Sequence, residues 1–344
     1  MESAFAACPE VLTILPALVR PVRPWNDVRG LFQLTNLLRA RRPDLVHTHS
    51  GKAGVLGRLA ARRTGVPVIL HHIHGPSFGS FQGPVANFVF TTAERRAARA
   101  TTHFLCSANA MTRIYLAKGI GRPEMFTRVF SGFQVEPFLR AQNDTALRGK
   151  LGLAADAFVI GKIGRLAPLK GHDDLFLAFK LLLIELPSAR LLIIGDGALR
   201  PRLEALSQEL ALRDKVVFTG LLPPAEVPRH VGIMDCLAHL SSREAVSRAL
   251  PQALAAGKPV VSYDFDGADE VCFDGKTGFL VRTGEIQSVA NRLLELAKNP
   301  ALRERLGRAG QQFVKHEFPV EGMVEKIYQL YRTLLEEKSP RVLR

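Results

Sequence analysis

Short apolar runs of strand length alternate with stretches of helical periodicity along most of the chain, and this alternation narrows the fold more than any other feature. Strand-like runs stand at 11–15, 44–48, 68–72, 102–106 and 128–130, separated by helical patterns at 27–41, 52–63, 84–100 and 108–118. In the first helix Val28, Leu31, Phe32, Leu34, Leu37 and Leu38 recur near helical spacing, and Gly65 with Pro67 stops the second. A less regular segment from 132 to 153 reads as a linker with a short helix. The rhythm then restarts, with strands at 158–163, 191–194, 216–218, 233–238, 260–262 and 278–281. Helices fall between them at 173–186, 199–210, 247–256 and 286–297, and 300–338 reads as helical with a break at Phe318-Pro319. A β-α-β-α order demands parallel sheets covered by helices on both faces. The expected class is therefore α/β, with two Rossmann-like, doubly wound domains at 1–135 and 136–315 and a closing helical segment at 316–344 that returns to the first domain. Such sheets bind ligands at the carboxyl ends of their strands, so a cleft faced by both domains is the expected site.

The 344 residues suffice for two domains of about 100–200 residues each. With 47% hydrophobic and 23% charged residues the chain can fill real cores and keep a polar surface. No apolar run approaches the roughly 18 residues of a membrane span, and no basic segment precedes an apolar stretch near Glu2 as in a signal peptide. Cys8, Cys106, Cys236 and Cys272 are scattered without a CxxC pair, which argues for reduced thiols and a cytoplasmic setting. Residues 1–150 hold 20 Lys and Arg against 8 Asp and Glu, or +12; residues 151–344 hold 26 against 24, or +2. A basic first half suits an anionic lipid surface or a phosphorylated acceptor, or is only a solvated basic face. Nucleic acid is disfavoured by 7% aromatics and the lack of any nucleic-acid motif.

Two stretches of the second half carry chemistry. Gly164-Arg-Leu-Ala-Pro-Leu-Lys-Gly171 follows a strand and delivers Arg165 and Lys170 on a tight loop, a planar fork and a mobile point charge suited to a diphosphate. Ser241-Ser-Arg-Glu-Ala-Val-Ser-Arg-Ala-Leu-Pro-Gln-Ala-Leu-Ala-Ala-Gly-Lys-Pro-Val-Val261 reads as polar loop, helix, glycine stop and strand, the layout that puts an anion at a helix N-terminus. Together with Ile194-Gly-Asp-Gly197, Val217-Phe-Thr-Gly220 and Asp274-Gly-Lys-Thr-Gly-Phe-Leu-Val281, these resemble glycosyltransferase family 4, retaining enzymes of the GT-B fold, through nearly all of the second domain. The resemblance implies that Arg165 and Lys170 hold the phosphates of a nucleotide-sugar, with Gly164 also nucleotide-binding, that Glu244 contacts the transferred sugar, and that the amides of Val246 and Ser247 face the diphosphate. It also implies that Gly195, Gly197 and Thr219 line the nucleotide site, and that Gln252 meets the ribose diol where the family has a second Glu. Glutamine keeps one acceptor oxygen for that task. The family's glycine after the first Glu is Ala245 here, and a positive φ at that place would strain alanine.

The first half adds His47, His49, His71, His72 and His74 in two strand-end loops. The resemblance points to His74, before Gly75, as the residue near the sugar. The neighbouring histidines can be read as a metal cluster, but no carboxylate or Cys spacing supports one and the family's chemistry needs no metal, so none is expected. Relative to the family, the first βαβ unit with its Gly-Gly loop is expected to be missing before 11–15, giving an incomplete N-terminal domain. The implied function is retaining, metal-independent transfer from a nucleotide-diphosphate sugar, a UDP-sugar above all, to a saccharide or lipid-linked acceptor. Surface polysaccharide, lipopolysaccharide or glycolipid assembly at the cytosolic membrane face is the implied setting. The donor is a substrate, and no cofactor is expected. The alternatives are a GT-B remnant that binds nucleotide without transfer, and an epimerase or phosphorylase on the same fold.

Overall fold

The computed structural model describes residues 11–19, 21–79 and 81–338. The first part of the chain runs α1 (Pro24–Arg41), β1 (Leu45–His49), α2 (Gly51–Arg63), β2 (Val68–Ile73), α3 (Pro84–Ala98), β3 (His103–Cys106), α4 (Asn109–Ala117) and β4 (Phe126–Arg128). Two short helices follow, α5 (Glu136–Leu139) and α6 (Thr145–Lys150). Then come β5 (Val159–Ile163), α7 (His172–Glu185), β6 (Arg190–Ile194), α8 (Arg200–Glu209), β7 (Val216–Gly220), α9 (Val227–Gly232) and β8 (Cys236–His239). The chain closes with α10 (Ala249–Ala255), β9 (Val260–Tyr263), β10 (Gly278–Val281), α11 (Ile286–Lys298), α12 (Pro300–Glu317) and α13 (Val320–Lys338). Among the described residues this is α/β with two parallel sheets, ordered β1-β2-β3-β4 and β10-β9-β8-β5-β6-β7.

Two compact units hold these sheets. The first takes the described residues up to Ser107, Met111–Val129 and those from Lys326 onward; the second takes Ala108–Ala110 and Phe130–Glu325. In the second unit, alternate strand residues feed two apolar layers. Ile160, Leu191, Ile193, Ala238, Val261 and Phe279 face one layer with Phe176 and Phe179 of α7 and Leu293 of α11. Val159, Leu192, Ile194, Leu237 and Val260 face the other, with Leu250 and Leu254 of α10 and Val314 of α12. The period of two places successive side chains on opposite faces, and both faces are covered, so β8 and β9 are buried at every position.

Three expectations need correction. Residues 11–15 form no strand: Val11 is 63% and Ile14 59% exposed, and the run has neither a ladder partner nor a face to bury. The last strand of the first sheet ends at Arg128, because Phe130 leaves the ladder to stack on Phe318 at 4.6 Å within the second unit's core. The apolar run 233–238 is split. Ile233 follows α9, and its carbonyl oxygen accepts from the buried Arg148 guanidinium at 2.8 Å, so β8 opens only at Cys236. Arg148 also donates to the carbonyl oxygens of Ala155 and Ala157 and to Asp235, which explains how the irregular linker is pinned to the sheet.

In the first unit α2 packs on the sheet and presents Arg58 to Glu94 of α3 at 2.6 Å, with both side chains essentially fully buried. Arg58 donates also to the Gly54 carbonyl, and Ser77 donates to the second Glu94 oxygen. A buried pair of this kind adds little against an apolar replacement, but losing one partner strands the other charge. Glu94→Gln is expected to destabilise the first unit by about 3–5 kcal/mol. Arg58→Met combined with Glu94→Leu should cost less than Glu94→Gln alone. Urea denaturation of these two variants and of the Arg58→Met and Glu94→Leu singles measures the order, and additive losses of the two singles in the double would refute the pairing.

Candidate active site

The candidate site of the second unit is set by strand order. From β5 the chain moves outward through β6 and β7, then returns to the other side of β5 to lay down β8. Loops that leave the carboxyl ends of β5 and β8 therefore diverge from neighbouring strands at a topological switch point, where such sheets bind ligands. The loop after β5 carries Gly164, Arg165 and Lys170, and the loop after β8 carries Glu244, Val246 and Ser247.

The two loops are bonded to each other. The amide of Ser242 donates to the carbonyl oxygen of Leu169 at 3.1 Å. Gly171 begins α7 at φ 66°, and a Cβ there would lie 1.9 Å from the Leu240 carbonyl oxygen, so only glycine lets the loops approach so closely. Leu169 holds φ 67° without being glycine, a strained conformation that the cross-loop contacts enforce. Lys170 Nζ then reaches Glu244 Oε1 at 2.5 Å, while His239 Nε2 donates to Oε2 at 2.8 Å. The Glu244 amide donates to Asp266 Oδ2 at 3.0 Å.

Burial works against the charge of Glu244, but the hydrogen bonds and charges of His239 and Lys170 outweigh it and hold the carboxyl well below its usual range. His239 is buried at the end of β8; desolvation and the Lys162 charge depress it to about 4, so it is a neutral donor at pH 7. Lys162 lies fully buried beneath the loops and donates to the Lys170 carbonyl oxygen at 2.8 Å. Burial, with repulsion from Lys170, lowers it to about 7. Asp266 is pushed up to about 6, by burial first and the Glu244 charge after it. The result is a paired carboxylate and ammonium with an exposed guanidinium, Arg165, on the same loop at the mouth of one strand pair.

The remaining expected residues fall around this core. The Gly195 amide donates to the Gly220 carbonyl oxygen, and a Cβ on Gly195 would lie 2.1 Å from the Gly164 carbonyl oxygen, so the Gly-Asp-Gly turn packs directly on the phosphate loop. The Leu166 amide donates to the Asp196 carbonyl oxygen, and Gly197 lies beside Leu166. Thr219, near the end of β7, bonds the carbonyl oxygens of Ile193 and Gly220. Val246 and Ser247 precede α10, and Gln252 is its half-buried fourth residue. Ala245 is unstrained: the positive φ values of non-glycine residues here belong to Leu169 and to Asp266 at 50°, and the Ala245 carbonyl oxygen accepts from Gly267 at 3.1 Å. His74 lies at the end of β2 in the first unit, bonded to His49 at 3.0 Å and Ser107 at 3.3 Å. A cavity of about 420 Å³ beside the 167–174 loop shares Lys170 but not Arg165 or Glu244; its wall balances Asp173 and Asp174 against Lys170 and Arg202, with Arg202 paired to Asp173.

Lys162, His239 and Asp266 were not singled out from the sequence. His239, five residues before Glu244 at a strand end, carries a sequence signal; Lys162 within an apolar strand and Asp266 in a turn carry none that points to the site.

A model of group 1 glycosyl transferases matches residues 143–313, and a glycosyl transferase 4-like domain matches residues 6–128. The chain is 29% identical over 328 residues to the UDP-Gal:alpha-D-GlcNAc-diphosphoundecaprenol alpha-1,3-galactosyltransferase of Escherichia coli, covering 94% of this chain and 84% of the relative. It is 31% identical over 331 residues to the 2-deoxystreptamine glucosyltransferase of Streptomyces kanamyceticus, covering 92% and 84%. Anabaena Alr3699/HepE, solved in complex with UDP-glucose, has the same fold at a TM-score of 0.79 and 22% identity, over 90% of this chain and 84% of that one.

Glu244 offers a pH test. Its folded pKa lies below the unfolded value of 4.5, so its stabilisation is present above that value and is lost as pH falls through the folded one. The stability gap between wild type and Glu244→Gln should be widest above pH 5 and shrink towards pH 3. A gap independent of pH, measured by denaturant unfolding, would disprove the charged pairing.

Proposed function

Because the chain belongs to the group 1 glycosyltransferases of family 4, with the GT-B fold, we propose that it transfers a sugar from a UDP-sugar to a saccharide or lipid-linked acceptor with retention. The setting proposed is surface polysaccharide, lipopolysaccharide or glycolipid assembly. One observation carries the reading: the strand order brings Lys170 and Glu244, 74 residues apart, to 2.5 Å at the switch point. A galactosyltransferase and a glucosyltransferase among the relatives, and UDP-glucose on the same fold in Alr3699/HepE, support the donor class.

In this reading Arg165 and Lys170 take the diphosphate and stabilise the charge that grows on it as the glycosidic bond breaks, the electrostatic task a metal ion performs elsewhere. The Lys170 ammonium has three donors, enough to keep Glu244 and a phosphate oxygen together. Glu244, held ionised by Lys170 and the neutral His239, accepts from hydroxyls of the transferred sugar. The amides of Val246 and Ser247 face the diphosphate, Gly164, Gly195, Gly197 and Thr219 line the nucleotide, and Gln252 meets the ribose. His74, whose ring nitrogens are held by Ser107 and His49, is assigned to pack against the sugar or acceptor.

A peripheral membrane location is part of the proposal. Among the described residues no helix is long and apolar enough to cross a membrane. Helix α1 instead exposes Trp25 at 83% and Phe32 at 65%, and α3 exposes Phe88 at 71%, on a strongly basic half of the chain. Exposed aromatics beside Lys and Arg suit an anionic bilayer interface.

Arg165→Ala and Lys170→Ala should each weaken UDP binding by about 1.5–3 kcal/mol and leave uridine binding nearly unchanged, since charge-assisted contacts to phosphate are what they remove. Calorimetry showing equal losses for both ligands would sink the phosphate assignment. Transfer assayed on a panel of UDP- and GDP-sugars decides between an active enzyme and a nucleotide-binding remnant, the reading that Gln252 favours; binding without turnover in the wild type, restored by Gln252→Glu, would select the remnant. Co-sedimentation with vesicles containing anionic lipid should fade as salt rises. No co-sedimentation at low salt would leave the basic charge as a solvated surface.

A further inference from the structure

Five of the ten histidines lie between positions 47 and 74, and pairing of β1 with β2 gathers them at one sheet edge. The parallel register sets Thr48 against His71 and His49 against His72. His71 turns to the other face, bonds the Thr48 hydroxyl at 2.9 Å and packs against Gly54 of α2. His47, His49, His72 and His74 share the opposite environment, with ring centroids 4.3 Å apart for His47 and His49, 5.5 Å for His49 and His72, and 4.1 Å for His72 and His74.

One ring nitrogen from each of His47, His49 and His72 lies within 4.8 Å of the other two. The Nε2 atoms of His47 and His72 are buried without a hydrogen-bond partner, an arrangement that costs free energy unless something accepts or ligates there. His72 is 3% exposed. One set of tautomers satisfies the contacts that do exist. His74 donates from Nδ1 to the Ser107 hydroxyl and accepts at Nε2 from His49 Nδ1, which leaves His49 Nε2 as a free lone pair. His47 donates from Nδ1 to the Tyr331 hydroxyl at 2.5 Å, which leaves its Nε2 as a second, and His72 Nε2 supplies the third. Ligating histidines characteristically commit their other nitrogen to such a partner, which fixes the ring.

We propose that His47, His49 and His72 form a binding site for a divalent transition-metal ion of the Zn²⁺ class, with Tyr331 and His74 orienting the ligands. Three imidazoles without a carboxylate suit Zn²⁺, Cu²⁺ or Ni²⁺ and disfavour Mg²⁺ or Ca²⁺. At Zn–N distances of about 2.0–2.1 Å, tetrahedral ligand atoms stand about 3.4 Å apart, so the rings need to close by no more than about 1.4 Å. Three protein ligands leave the fourth position to water or to an incoming oxygen or nitrogen donor. His47, His49, His72, His74 and Tyr331 all belong to the first unit.

The test uses the full chain, free of any affinity tag and stripped with chelator, titrated with ZnCl₂ by calorimetry and with CoCl₂ by visible absorption. Saturable uptake of one equivalent is expected, with the strong d–d bands of four- or five-coordinate Co²⁺, together with a rise in melting temperature as Zn²⁺ increases. His49→Ala, on an exposed side chain, should weaken binding by about 100-fold or more, and Tyr331→Phe by about 10-fold. His316→Ala, in the second unit, should leave it unchanged. Where His72→Ala fails to fold, His47→Gln supplies the second ligand variant. Absence of one-equivalent binding, octahedral Co²⁺ spectra, or equal affinity in wild type, His49→Ala and His47→Gln would overturn the site.

Discussion

The adjacency of β5 and β8 in one parallel sheet is the constraint on which the second unit's chemistry depends. Parallel strands cannot be joined by a tight hairpin, so each connection runs through a helix and the chain must choose a side of β5 at every step. It takes one side with β6 and β7 and the other with β8, β9 and β10. Loops leaving β5 and β8 at their carboxyl ends therefore splay apart above a gap that no crossover helix fills. Gly171 against Leu240, Gly195 against Gly164, and the Ser242 to Leu169 hydrogen bond then hold the loop bases together.

Among the described residues the buried charges Arg58, Glu94, Arg148 and Lys162 each have hydrogen-bond partners. Arg58 and Glu94 join two helices of the first unit, and Arg148 gathers carbonyl oxygens of the linker and of Ile233. Lys162 spends its ammonium on the backbone of the Lys170 loop, and its depressed pKa follows from full burial beside a second cation. These groups differ from the pair they surround: Lys170 and Glu244 remain partly open to solvent, as an electrostatic site must to receive a ligand. A rigid, buried foundation under a partly exposed charged pair is the arrangement in which oriented charges act without reorganisation during reaction.

Element type and order were legible because strands and helices leave different periods in the apolar pattern. The strand Gly278–Val281 and the helix break before Val320 lie where the pattern put them. Errors arose where a side chain, rather than periodicity, decided the boundary. Phe130 leaves its strand for Phe318, and Arg148 claims the Ile233 carbonyl before β8 starts. The run 11–15 had strand composition but no partner, and a strand exists only as a pairing.

The candidate site divides in the same way. The sequence alone placed Arg165, Lys170 and Glu244 on strand-to-helix loops, since glycines, prolines and charges in that order are local signals. It determined the α/β class for the same reason: periodicity is a property of neighbouring residues. Only the tertiary structure decided that Lys170 meets Glu244, that His239 and Lys162 stand behind them, and that Asp266 rather than Ala245 takes the left-handed turn. It alone turned two separate histidine motifs into one cluster, through the register of β1 on β2. Contacts between residues far apart in the chain depend on strand order and register, and those are set by the packing of the whole sheet, which no local pattern records.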